Sequence, residues 1–217
     1  KMYYLVKQHA LNDKINLLLK FLPKKGNLLD IGAGTGDFLF AANASGWKTI
    51  GIEPNEQAKK LAISKGVSFK NSLQDFENQS FDAITMWHVL EHIPNLDLHI
   101  QELKRLLKPN GIIIIAVPNF KSFDAKYYKQ FWAAYDVPIH FFLFSKTAIQ
   151  KIFETHNFQV INILPMIFDS FYVSLLSEKY KTGKMNYLKA FYIGLKSNLK
   201  AFTTKEYSSH IYVIKNT

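Results

Sequence analysis

The ten residues Leu28-Leu29-Asp30-Ile31-Gly32-Ala33-Gly34-Thr35-Gly36-Asp37 constrain this chain more than any other stretch. The apolar run from Leu28 to Ile31 reads as a buried strand that passes through a glycine turn into a helix expected to start near Thr35. Glycine tolerates a positive φ and lets a ligand approach without a Cβ in the way. Free N–H groups at the helix start can receive a carboxylate or a phosphate. The spacing is G-x-G-x-G rather than the G-x-G-x-x-G of a dinucleotide fingerprint, and Asp30 is ill placed beside a pyrophosphate. A carboxylate there suits a ligand with a positive end, such as the ammonium of an amino acid.

Strand-like and helix-like segments then alternate. Thr49-Ile50-Gly51-Ile52-Glu53-Pro54 reads as a second strand ending in an acid. A carboxylate about 20 positions beyond a nucleotide-binding turn can accept hydrogen bonds from both ribose hydroxyls. A short third strand near Val67-Ser68-Phe69 leads to Asn71-Ser72-Leu73, and Phe81 onward begins a fourth. Leu107-Lys108-Pro109-Asn110-Gly111 reads as a turn before the apolar run Ile112 to Val117, which fits a central parallel strand. Phe158–Leu164 and Ser209–Lys215 are the expected sixth and seventh strands. Such alternation predicts a doubly wound sheet with its ligand at the carboxyl ends of the strands.

The D-x-G-x-G-x-G run resembles motif I of the class I S-adenosylmethionine-dependent methyltransferases. The series FDAI (from Phe81), VLEHI (from Val89), LKPNG (from Leu107) and VPN (from Val117) occurs in this order in methyltransferases resembling those of ubiquinone biosynthesis. This resemblance implies an α/β fold with a seven-stranded, mostly parallel, Rossmann-like sheet and S-adenosylmethionine as cofactor. It places Gly32, Ala33, Gly34 and Gly36 at the methionine end, Asp30 at the amino group and Glu53 at the ribose. Pro54 would pack on the adenine, with Ser72 and Leu73 near its edge, and Trp87 and His88 would meet the methionine ammonium through backbone carbonyls. All 217 residues are read as one methyltransferase domain: a leading helix in 1–26, a cofactor-binding core in 27–165, a helical insertion in 166–205 and the last, antiparallel strand in 206–217.

The acceptor is less legible. His140, in the segment from Phe131 to Ser145 after the fifth strand, is a candidate general base, or else a buried histidine that fixes the loop. Tyr127, Tyr128, Trp132 and Phe141 form an aromatic set suited to a planar acceptor, or to packing alone. His88-Val89-Leu90-Glu91-His92 matches the H-x-x-E-H pattern of inverted zinc peptidases, but Pro94 would end any helix at once. Related quinone O-methyltransferases can hold a divalent ion here with acids and a histidine, whereas this chain has His88 where an acid is expected. No metal is therefore assigned.

Composition bounds the rest. The absence of cysteine excludes a disulfide framework and fits a reducing, cytoplasmic setting. There is no signal-peptide-like apolar region at the start, and Ile112 to Val117 is the longest clean apolar run, far short of a membrane span. The net charge of +10 comes from lysines spread along the chain, which reads as a solvated surface or as a basic face for RNA, anionic lipid or an acidic substrate. Scarce arginine argues against nucleic acid. Residues 166–205 read as two amphipathic helices broken around Thr182-Gly183, packing on the sheet or on each other, or forming a homodimer interface, a lid or a peripheral membrane contact.

The function expected is methyl transfer to a small-molecule acceptor with an oxygen nucleophile. An RNA or protein methyltransferase, or a cofactor-binding scaffold without turnover, is the alternative.

Overall fold

The computed structural model describes residues 2–217, with side chains from Lys7 onward. Seven strands form one sheet: β1 (Asn27–Ile31), β2 (Lys48–Ile52), β3 (Phe69–Lys70), β4 (Phe81–Trp87), β5 (Leu107–Pro118), β6 (Phe158–Pro165) and β7 (Ser209–Asn216). Their order is β3-β2-β1-β4-β5-β7-β6. The first five pair in parallel, and β7 inserts antiparallel between β5 and β6. The direction of winding reverses between β1 and β4, so the switch point lies at their carboxyl ends, where such sheets bind ligands. This is the doubly wound, mostly parallel sheet expected from the sequence.

Alternation along the strands sorts the core into two layers. Leu28, Ile112 and Ile114 face α1 (Met2–Phe21) and α2 (Asp37–Ala44), where Leu11, Ile15, Leu18, Phe38 and Leu39 close over them. Leu29, Ile113 and Ile115 face the other way, toward Ile100 and Leu103 of α4 (Leu96–Leu106) and Ile149 and Phe153 of α6 (Lys146–Glu154). The remaining helices are α3 (Glu56–Ile63), α5 (Phe123–Tyr128), α7 (Asp169–Thr182) and α8 (Tyr187–Thr204).

Two local expectations need correction. The first concerns Leu107 to Gly111, which lies inside β5 and is not a separate turn. Pairing with β4 jumps from Phe81↔Leu107 to Ala83↔Ile112, so Lys108 to Gly111 bulge out of the ladder, and Lys108 Nζ donates to Asp82 Oδ2 at 2.7 Å. The second concerns the first core helix, which begins at Asp37 because Gly36 is left-handed, with φ 73°. A Cβ on Gly36 would also stand 2.6 Å from Ala62 Cβ, so both conformation and space select glycine there.

α7 and α8 form an antiparallel hairpin that turns at Gly183, as the sequence leads one to expect. They pack on each other and on α5 through small and polar residues. A Cβ on Gly194 would lie 2.7 Å from Phe171 Cδ1, and Ser170 Oγ donates to the Gly194 carbonyl. Buried Asp124 anchors the hairpin to the body. Its carboxylate accepts from Ser197 Oγ (2.6 Å), Ser208 Oγ (2.8 Å) and Trp132 Nε1 (2.8 Å).

Candidate active site

The turn after β1 and the acid after β2 meet directly. Glu53 Oε2 accepts from the Gly34 N–H at 2.7 Å, and Oε1 accepts from the Asn55 N–H at 2.8 Å. Each oxygen is thus positioned by one backbone donor and keeps acceptor capacity for a ligand hydroxyl. Gly34 has φ 53°, and a Cβ built on it would meet nothing within 4 Å. That open space lies over the start of α2, whose N-cap Gly36 supplies no side-chain cap.

A cleft of about 580 Å³ opens at these strand ends. Gly32, Glu53, Pro54, Ser72, Leu73, Trp87 and His88, all singled out from sequence, line it. Ile31, Ile52, Val89, His92, Ile93 and His99 complete the wall. Ser72 is rigidly set, because it caps a helical turn reciprocally with Asp75. Burial pushes the His99 pKa down to about 4, so this imidazole is neutral, and its Nε2 has no hydrogen-bond partner among the described residues.

The other expected residues lie around the cleft. The Ala33 N–H donates to the Ile52 carbonyl, which fixes the turn against β2. Asp30 sits beneath the turn, almost fully buried, and accepts from Thr85 Oγ1 at 2.5 Å. Burial raises its pKa to about 7, against the opposing pull of Thr85 and Lys14. Lys14 of α1 places its ammonium 4.1 Å from the centre of the Trp87 ring, and it feels the charges of Asp30 and Asp169. Burial nevertheless holds the Lys14 pKa below its ordinary value.

His88 and His92 part company. His88 takes φ 57°, which breaks any helix through the H-x-x-E-H run, and only Leu90 to His92 form a helical turn. The His88 ring lies between Glu91 (3.5 Å from Nδ1) and Asp169 (3.7 Å from Nε2). Burial opposes its charging, yet these two carboxylates hold its pKa above the ordinary value. His92 turns instead toward His140, with ring centres 4.5 Å apart. His140 Nδ1 lies 2.9 Å from the Ala134 carbonyl, which acts only as acceptor, so Nδ1 carries the proton and Nε2 keeps its lone pair. Burial lowers the His140 pKa, which favours that neutral form. His140 stands behind His92 and does not itself line the cleft.

Glu91, His92 and His140 are the one group among the described residues whose ligand atoms could converge on a metal ion, all within 4.8 Å of one another. Neither Glu91 oxygen has a hydrogen-bond partner among the described residues. Two imidazoles and a carboxylate suit a divalent transition metal, and each histidine has a ring nitrogen near a backbone carbonyl that would orient the ring toward the ion.

Sequence reasoning overlooked Lys14, Thr85, His99 and Asp169. Lys14 had a legible signal, since it interrupts the apolar stripe Leu11, Ile15, Leu18 of α1. Asp169 had none, because only the hairpin's packing brings residue 169 to residue 88.

A methyltransferase-domain family model matches residues 5–163. The chain is 34% identical over 131 residues to the ubiquinone biosynthesis O-methyltransferase of Actinobacillus pleuropneumoniae serotype 5b, a match covering 51% of this chain and 55% of that protein. It is 29% identical over 136 residues to the demethylmenaquinone methyltransferase of Staphylococcus aureus, covering 55% and 54%. The chain thus spans about half the length of the curated relatives it matches. Among solved structures, phosphoethanolamine N-methyltransferase 2 of Haemonchus contortus in complex with S-adenosylmethionine superposes with a TM-score of 0.65 at 19% identity, covering 95% of this chain and 53% of that one. A S-adenosylmethionine-dependent methyltransferase from Archaeoglobus fulgidus superposes over 100% of both chains, with a TM-score of 0.64 at 18% identity. At such identities the superpositions bear on the fold.

Proposed function

The chain belongs to the methyltransferase-domain family, and on that premise we propose that it binds S-adenosylmethionine in this cleft and transfers the methyl group to an oxygen of a small-molecule acceptor. The observation that carries the reading is the Gly34–Glu53 pair, a positioned carboxylate beside an open glycine turn at the switch point. His99 Nε2 in the same wall, buried and without a hydrogen-bond partner among the described residues, fits a polar group of a bound ligand.

In this reading Glu53 receives the ribose hydroxyls, while Pro54, Ser72, Leu73 and His99 surround the adenine. The turn Gly32-Ala33-Gly34 and Gly36 hold the methionine end. Lys14 offers that end a cation for its carboxylate, and Asp30, with the Trp87 and His88 backbone, offers its ammonium an anionic surrounding. When bound, the cofactor supplies an electrophilic methyl on a sulfonium. The protein's task is then alignment of the acceptor with that methyl and removal of the acceptor's proton. His140, neutral and held at Nδ1 by the Ala134 carbonyl, is the base we assign with no metal on its Nε2; because it stands behind His92, the acceptor's proton would reach it by way of the His92 ring. The relative named for an O-methylation supports the oxygen nucleophile.

Calorimetric titration with S-adenosylmethionine and S-adenosylhomocysteine tests the reading. Both should bind, and Glu53→Ala should weaken them at least about 10-fold, the loss of roughly one charge-assisted hydrogen bond. Absence of binding by the unaltered protein would overturn the proposal, and binding without transfer to any acceptor would favour the scaffold reading. Turnover at saturating acceptor that survives His140→Ala would remove the base role.

A further inference from the structure

Helix α8 is built inside out. Its buried face is Ala190, Ile193, Gly194, Ser197, Asn198 and Ala201, mostly small or polar. Its outer face carries Leu188, Phe191, Tyr192, Leu195, Leu199 and Phe202, each at least 41% exposed and Leu188 86% exposed. At 3.6 residues per turn these six fall in one stripe roughly 100° wide and about 20 Å long. Tyr172 and Tyr180 of α7 and Tyr187 add exposed aromatics on the same hairpin. Single exposed apolar residues are ordinary, but a continuous stripe of this kind marks a contact surface.

The charges around the stripe identify what it meets. Between Lys179 and Lys205 there are seven lysines and no acidic residue. Lys189, Lys196 and Lys200 recur at i, i+7 and i+11 and so flank the stripe along one side. The hairpin's acids are Asp169, turned to His88, and Glu178, which is buried and 3.7 Å from Lys189 Nζ. An antiparallel isologous pairing of two copies through this face would bring the two lysine edges together with no exposed acid on the hairpin to answer them. A nucleic acid would find no use for a stripe of leucine and phenylalanine.

We propose that the outer face of the α7–α8 hairpin docks on an anionic lipid bilayer, with the Leu188–Phe202 stripe among the acyl chains and the lysines at the headgroups. Small residues inward and large apolar residues outward is the packing expected of helices whose far side faces lipid. The hairpin begins at Asp169, beside His88, so docking would set the mouth of the cleft close to the bilayer surface.

Co-sedimentation with vesicles of phosphatidylglycerol and phosphatidylcholine, against phosphatidylcholine alone, tests this. Binding is expected on the anionic vesicles, at least 10-fold weaker on the neutral ones, and reduced by added salt. Phe191→Ser with Leu195→Ser should cut it at least 10-fold, and Lys196→Ala with Lys200→Ala roughly 25-fold, about fivefold per lysine. Circular dichroism and S-adenosylhomocysteine affinity should stay as in the unaltered protein, which separates lost docking from lost folding. No binding to anionic vesicles would overturn the proposal, as would binding that ignores these substitutions. So would a dimer in sedimentation equilibrium that Phe191→Ser with Leu195→Ser dissociates, which would make the face a contact between copies.

Discussion

Strand β5 and helix α8 both carry apolar residues in a regular pattern, and they use them in opposite ways. From Ile112 to Val117, β5 is buried on both faces, between the α1/α2 layer and the α4/α6 layer. α8 turns its large apolar residues outward and holds the body with serine, asparagine, glycine and alanine. The contrast teaches that periodicity identifies a face but not the direction in which it is turned. Direction is decided by what the opposite face can do. In α8 that face makes hydrogen bonds into Asp124 and close contact at Gly194, which large side chains would block.

The largest effect is expected from removing the polar anchor of the hairpin. Asp124→Ala strands three buried donors, and urea denaturation should show a loss of about 3–5 kcal/mol. A loss below 1 kcal/mol would mean that apolar contacts hold the hairpin after all. Next comes the apolar anchor of the sheet: Ile114→Ala, fully buried in β5, should cost about 2–4 kcal/mol in the same assay.

A third test concerns the charge buried beneath the turn. Because the Asp30 pKa is raised to about 7 from an ordinary 3.8, the folded protein binds a proton that the unfolded chain has released. Stability should therefore fall as pH rises from about 4 to about 7 and stay level above, by about 4 kcal/mol for this group. Asp30→Asn should flatten that part of the profile, and an unchanged slope would show that Asp30 does not carry it. The outer stripe of α8 should be the least sensitive. Leu199→Ala, on the outer stripe, should change stability by less than about 0.5 kcal/mol, although Ile114, an equally apolar residue of β5, is costly to truncate.

Much of the site was legible because its parts are local. Glycine spacing, an acid after the second strand and the residues following the fourth each depend on a few neighbours, and topology then brings strand ends together. The bulge at Lys108 to Gly111 was not legible, since a proline-asparagine-glycine run signals a turn whether or not the flanking residues stay in one ladder. The separation of His88 from His92 likewise turns on one backbone angle at residue 88. Lys14, hidden within an apolar stripe, shows that a polar interruption in a buried pattern is worth reading as part of a site.

By itself the sequence determined the alternation of strands and helices, the glycine turn with its distant acid, and the break of the last two helices at Gly183. These follow from side-chain period, backbone permissiveness and chain order, which act over short distances. Only the tertiary structure decided that His88 lies between Glu91 and Asp169, that His140 stands behind His92, and that α8 faces outward. Each of those depends on long-range packing and on the competition to satisfy buried polar groups, which no local pattern encodes.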